Sequence, residues 1–157
     1  EAVTKGVKVS SLEKAGSSDA LAALRPRISK SDKLHAILDA LGHLGKPYDY
    51  NFDLATDNEL VCSELVYKAY RRAEGIELTP TSLNGRLLLS PNALCGKLDA
   101  EYDSEPRQLD FALFLDGVAP GEVVDRDAAA LRESHRRPKW HILLVESGEE
   151  LSEPNTA

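Results

Sequence analysis

Five apolar positions, Cys62, Leu65, Val66, Ala69 and Ala73, fall at i, i+3, i+4, i+7 and i+11. That spacing predicts one stripe of an amphipathic helix. Asp57 or Asn58 can cap its start and Gly75 can end it, and a start a few residues later is also open. Glu59 and Glu64 near the start, with Lys68, Arg71 and Arg72 toward the end, match the helix dipole. Directly before the helix runs the aromatic and acidic stretch Gly45-Lys-Pro-Tyr-Asp-Tyr-Asn-Phe-Asp53, where Pro47 sets φ ahead of Asp49 in a turn.

A cysteine near a helix start has two readings. The N-terminal N–H groups and the dipole favour a thiolate, and the same N–H groups can hold an oxyanion once that thiolate attacks a carbonyl. Against this, free cysteines are among the most buried residues, and Cys62 lies on the apolar, core-facing stripe. Glu64 would oppose a thiolate if it faced one. Its i+2 offset turns it away, so it reads as a dipole-favourable surface or packing residue. Tyr48, Asp49 and Asp53 lead into the helix, either lining a cleft or packing and capping the turn.

Elsewhere, Val3, Val7 and Val9 alternate with polar residues around Gly6, a strand or hairpin. Residues 21–24 form a short apolar strand before Pro26. Residues 31–44 form an amphipathic helix with Leu34, Ile37, Leu38 and Leu41 on one face, capped by Ser29 or Ser31 and ended by Gly45. His35 and His43 lie off that face and read as solvent-facing. Residues 77–91 look irregular, with Pro80, Asn84 and Gly85 as breakers. A short helix over 92–102 contains Cys95, an apolar strand covers 111–115, and a helix covers 125–136, ended by Pro138. Residues 140–145 are a strong strand candidate, rich in aromatic and branched side chains. The pattern is one α+β domain over residues 1–145, helices packed on an antiparallel sheet, followed by a polar acidic tail over 146–157.

A net charge of −7 argues against a nucleic-acid surface. Arg132, Arg136, Arg137 and Lys139 make one basic cluster, read as a solvated helix end, with an anionic substrate or headgroup as the alternative. There is no run of about 18 apolar residues, so no membrane helix is expected. The two cysteines, Cys62 and Cys95, are too few for a disulfide framework, though one bridge between them stays open. No zinc-binding or phosphate-cradling motif occurs, so no metal and no cofactor is expected.

The block Gly45-Lys-Pro-Tyr-Asp-Tyr50 followed by Cys62-Ser-Glu-Leu-Val-Tyr67 resembles the nucleophile region of permuted papain-like cysteine hydrolases of the NlpC/YiiX-like group. Residues 109–117 and 130–142 are similar to the C-terminal part of that group, and residues 1–13 to the strand and turn that follow its histidine strand. The resemblance implies a circularly permuted papain-like domain and a thiol hydrolase. Cys62 attacks an amide or ester to form a thioacyl intermediate, and Glu1, at the position of the family's acidic third member, orients a histidine. The family histidine lies upstream of the segment like Glu1-Ala-Val. The chain opens on Glu1 and contains no Met, so a removed front portion carrying that histidine is expected. Within the chain, His141, opening the 142–145 strand, is the first alternative base, and the simpler reading of it is a partly buried strand residue. His135 is a weaker candidate. Tyr48 and Asp49 are the candidate substrate-binding residues. Family analogy leaves cell-wall peptides or lipid-like amides and esters as substrates, in a bacterial envelope setting. The alternative is a non-catalytic binding domain that keeps the cleft without the base.

Overall fold

The order of secondary structure follows from where the chain places its turn-formers and its small residues. The computed structural model describes residues 1–119 and 121–136. A two-stranded hairpin comes first, β1 (Ala2–Val3) and β2 (Gly6–Val7), then a short helix α1 (Leu12–Ala15) and strand β3 (Ala20–Pro26). Two helices follow, α2 (Lys30–Gly42) and α3 (Cys62–Tyr70), then a second hairpin, β4 (Thr81–Leu83) and β5 (Arg86–Leu88). Helix α4 (Pro91–Glu101), strands β6 (Leu109–Ala119) and β7 (Glu122–Asp125), and helix α5 (Ala128–Ser134) complete the described part. Helices and antiparallel sheets are thus combined as an α+β fold, with β6 central in the order β3-β6-β7. The predicted 140–145 strand lies outside the described residues.

Two packed clusters organise the chain. Leu98 of α4, Leu109 and Phe114 of β6 and Leu131 of α5 form one, so both helices cover the three-stranded sheet. The other joins Ala2 and Val7 of the first hairpin to Leu60 and to Leu65 of α3, with Ala40 of α2 against it. This second cluster seats the helix that begins at Cys62.

The first hairpin is stitched to the loop before that helix. Val7 N–H donates to the Lys46 carbonyl at 2.8 Å, and Gly45 N–H donates to the Val7 carbonyl at 2.9 Å. Gly6 has φ of +90°, and a Cβ there would stand 2.5 Å from the Lys46 carbonyl oxygen. A side chain at position 6 is therefore opposed by both backbone conformation and space. Gly6→Ala is expected to cost at least about 1–2 kcal/mol from the backbone alone. That is a fall in Tm of about 2–8 °C for a chain of this length, read by thermal unfolding.

Helix α2 departs from expectation. Leu34, Ile37, Leu38 and Leu41 do share a face, but they are 44–58% exposed, and Ala36 is the buried residue. Ala36 is buried and Ala40, one turn on, packs against the cluster of Ala2, Val7, Leu60 and Leu65, so small side chains rather than the leucines face inward. Ser29 caps the helix, its hydroxyl accepting from the Asp32 N–H at 3.0 Å. His35 is exposed as expected. His43 is not simply solvent-facing: its Nδ1 is buried with no hydrogen-bond partner among the described residues. Burial first, and then the positive charge of Lys46, hold its imidazole below the usual histidine value.

Residues 77–91 are not irregular throughout. Asn84 and Gly85, with φ of +51° and +78°, close the β4–β5 hairpin in the left-handed conformations that a tight two-residue turn requires.

Candidate active site

Leu60 and Val61 are buried and extended, and they fix where α3 can begin. Leu60 N–H donates to the Pro47 carbonyl at 3.0 Å, and Asp49 N–H donates to the Leu60 carbonyl at 3.3 Å. Pairing with the aromatic loop thus keeps residues 60 and 61 out of the helix. The cap is Val61, not Asp57 or Asn58, and Cys62 is the first helical residue. The helix also ends earlier than Gly75, at Tyr70. The buried face of α3 is made by Glu64, Leu65, Lys68 and Ala69, so Cys62 stands off that face and is exposed. No hydrogen bond among the described residues takes up the N–H groups of Cys62 and Ser63. These are the orphan donors of a helix start.

Cys62 opens into a cleft of about 680 Å³, within the size range of small-molecule sites. Tyr48, Phe52 and Leu54 from the aromatic loop form one wall, and Leu83, Leu87 and Leu88 of the second hairpin form the other. Arg86 Nη1 donates to the Asn51 carbonyl at 2.6 Å and ties the two walls together. The rings are mutually supported: Tyr48 meets Tyr50 edge-on at 5.1 Å and Phe52 at 6.3 Å between centroids. Burial first, and then the neighbouring Cys62, Tyr50 and Asp49, push the Tyr48 hydroxyl above its ordinary value. It stays protonated at neutral pH, a hydrogen-bond donor beside the thiol.

Asp49 is placed differently from Tyr48. It is fully buried and does not line the cleft. Its two carboxylate oxygens accept from the N–H groups of Asn51 and Asp53, each at 2.6 Å. Between those two residues Phe52 sits at φ +55°, unusual for a bulky side chain. Asp49 thus holds the strained turn that presents Phe52 to the cleft. Asp53 accepts from the Ala55 N–H at 3.0 Å, a further turn contact.

Glu64 is not at the surface. It is 1% exposed, and its Oε2 accepts from the Val61 N–H at 3.2 Å. Its Oε1 stands 3.1 Å from Nζ of Lys68, which is itself 2% exposed at the side chain. The same ammonium bonds the Thr56 carbonyl and the Asp57 carboxylate. Burial pushes the Glu64 carboxyl above the usual carboxylate range, with Lys68 and the Val61 N–H pulling against it.

Glu1 lies at the edge of β1, its backbone nitrogen donating to the Lys8 carbonyl at 2.8 Å. Its carboxylate accepts from the Ser10 hydroxyl and stands 3.6 Å from the Lys8 ammonium. The Ser10 bond, first among the causes, holds it below the ordinary glutamate value despite partial desolvation, so it is an anion at neutral pH. Glu1 does not line the cleft, and neither do His35, His43 or His135. His141 lies outside the described residues. His135 sits with Nε2 3.5 Å from Asp99 Oδ2, an oxygen that also pairs with Arg136, while Arg132 Nε donates to Asp99 Oδ1 at 2.9 Å. That part of the basic cluster is consequently a bridge between α4 and α5 rather than a solvated helix end. Arg137 and Lys139 lie outside the described residues. Neither cysteine is in a disulfide among the described residues, and Cys95 packs beside the Leu98 cluster. No described helix is long and apolar enough to cross a membrane.

The hairpin wall and the buried Glu64–Lys68 pair were not anticipated. Asn84-Gly85 between short apolar runs is the signal for the first. The capping relation between position 61 and a Glu three residues later is the signal for the second. No curated protein and no solved structure matches the chain. A family model described as permuted papain-like amidase enzyme, YaeF/YiiX, C92 family, matches residues 1–130. An exposed thiol at the first residue of a helix faces a cleft, and the chain belongs to this permuted papain-like amidase family.

Proposed function

We propose that this protein is a thiol hydrolase acting on amides or esters whose acyl part is an apolar chain, with Cys62 as nucleophile. What supports this reading is one arrangement: an exposed Cys62 at the first residue of α3, flanked by a wall of leucines and a wall of aromatic side chains. A peptide of the cell wall carries polar groups along its length, and this lining offers few partners for them. An alkyl chain gains about 0.8 kcal/mol for each CH₂ it buries here.

In the proposed cycle an imidazole takes the Cys62 thiol proton and becomes an imidazolium, the sulfur attacks the acyl carbon, and the carbonyl π pair moves onto oxygen. The N–H groups of Cys62 and Ser63 receive that oxyanion. Its collapse expels the amine or alcohol, which takes a proton from an imidazolium, and leaves an acyl thioester on Cys62. Water then attacks the thioester with the imidazole as base, releasing a carboxylic acid and restoring the thiol. The imidazole comes from outside the described residues, either His141 or a histidine upstream of Glu1 as the family likeness implies. Glu1, an anion beside Ser10 and Lys8, is its proposed orienter.

The reading is tested with p-nitrophenyl esters of increasing acyl length, because that leaving group departs without a proton. The burst of nitrophenolate, one per Cys62, is expected to quicken by about fourfold per added CH₂ over the length that fits the cleft. A rate indifferent to chain length, with cleavage of short peptide amides, would give the site to cell-wall peptides. Saturable binding with no burst would give instead a binding domain with a papain-like cleft.

A further inference from the structure

We infer that the buried pair Glu64–Lys68 is a positioning device for Cys62, fixing the first two turns of α3 to the chain that leads into the nucleophile; this rests on the reading of Cys62 as nucleophile. Glu64 and Lys68 are 1% and 3% exposed, an unusual place for two long charged side chains in a chain of this size. Each uses its charge locally. The Glu64 carboxylate accepts from the Val61 N–H at 3.2 Å, the residue immediately before Cys62. Lys68, one turn further along and 3.1 Å from Glu64, reaches back to the Thr56 carbonyl and the Asp57 carboxylate in the approach to the helix. Helix and approach are joined through two side chains at i and i+4.

Two consequences bear on the thiol. The capping bond uses the N–H of Val61 and leaves those of Cys62 and Ser63 unshared, so the oxyanion donors are held in place without being consumed. The negative charge of Glu64, which lines the same cleft as Cys62, is matched by Lys68 rather than left to oppose a thiolate. Glu64 touches no reacting atom in this scheme and acts through the backbone at position 61.

The test is alkylation of Cys62 by iodoacetamide at pH 7, followed by mass spectrometry, with Cys95 as the internal reference. Glu64→Ala is expected to slow Cys62 by about five- to tenfold while Cys95 stays unchanged, the size set by loss of a helix cap. Glu64→Gln keeps an acceptor for the Val61 N–H and is expected to restore the rate to within about twofold. Equal rates in Glu64→Ala and the unaltered protein overturn the inference. So does a Glu64→Gln variant as slow as Glu64→Ala, which would mean that charge and not the anchor matters. Amide exchange at Val61 in the unaltered protein reads the anchor without thiol chemistry and without dependence on a variant's folding. Slow exchange there supports the anchor and rapid exchange overturns it. A Cys62 no more reactive than a free thiol, with Val61 still protected, defeats the nucleophile reading and leaves the anchor standing.

Discussion

Cys62→Ser lowers kcat/KM on p-nitrophenyl octanoate by on the order of a thousandfold or more, while the affinity for the acyl chain holds. The expected loss is large because a serine hydroxyl, far less acidic than a thiol, is a much weaker nucleophile at neutral pH. Affinity is expected to persist because the chain is gripped by Leu83, Leu87, Leu88 and the aromatic wall, none of which changes. Stability should shift little, since Cys62 is exposed and leaves no cavity when replaced. Cys95→Ser is the matched control. It lies against the Leu98 cluster and away from the cleft, so it should cost some stability and leave the rate alone. Steady-state kinetics on the two variants separate the outcomes. If Cys62→Ser turns over within tenfold of the unaltered protein, a different group carries the reaction.

How far this site was legible in the sequence differs residue by residue. Apolar spacing placed a helix through Leu65 and Ala69, and both are buried. The same spacing put Cys62 on the core face, because periodicity assumes a helix that already exists at that position. Pairing of Leu60 with Pro47 and Asp49 decides where the helix starts, and that is a contact between segments that no local pattern contains. The face that is actually buried, Glu64, Leu65, Lys68 and Ala69, is turned from the one the apolar pattern marks, and the thiol stands off it at the cleft.

Helix α2 shows the converse limit. Its leucine face is real as a pattern, yet Ala36 is the buried residue and Ala40 packs against the cluster that holds Leu65. Hydrophobic periodicity ranks faces by transfer free energy, whereas close helix approach selects for small side chains. Tyr48 and Asp49 are adjacent in sequence and were indistinguishable there as turn or cleft residues. In the fold one faces the cleft and the other is buried beneath it, because alternation along extended backbone sends neighbours to opposite sides. The β4–β5 hairpin was readable from Asn84-Gly85, but Pro80 and the surrounding polar residues masked it as loop.

Lys68→Met is the substitution with the largest expected effect on stability. Removing one member of a buried ion pair leaves the other charge desolvated, at a cost of about 3–5 kcal/mol at pH 7. For a chain of this length that is a fall in Tm of about 6–20 °C. The loss should depend on pH with a definite sign. Burial raises the Glu64 carboxyl above its ordinary value of 4.5, so its ionisation costs the fold stability above that pH, and Lys68 limits the cost. Asp57, by contrast, is held below its ordinary 3.8, chiefly by its hydrogen bond from Lys68. It contributes stability that is present above 3.8 and lost as pH falls through its native value. Without Lys68 the first penalty deepens and the second contribution disappears. Both differences vanish once the carboxyls are protonated in folded and unfolded chains alike. The gap in unfolding free energy between the two proteins should therefore be widest near neutral pH, narrow as pH falls toward 4.5 and Glu64 protonates, and narrow again below 3.8 as Asp57 protonates. Urea unfolding at pH 7 and pH 4 measures it. A gap of equal size at both would assign the loss to the packed methylenes of Lys68 instead of its charge.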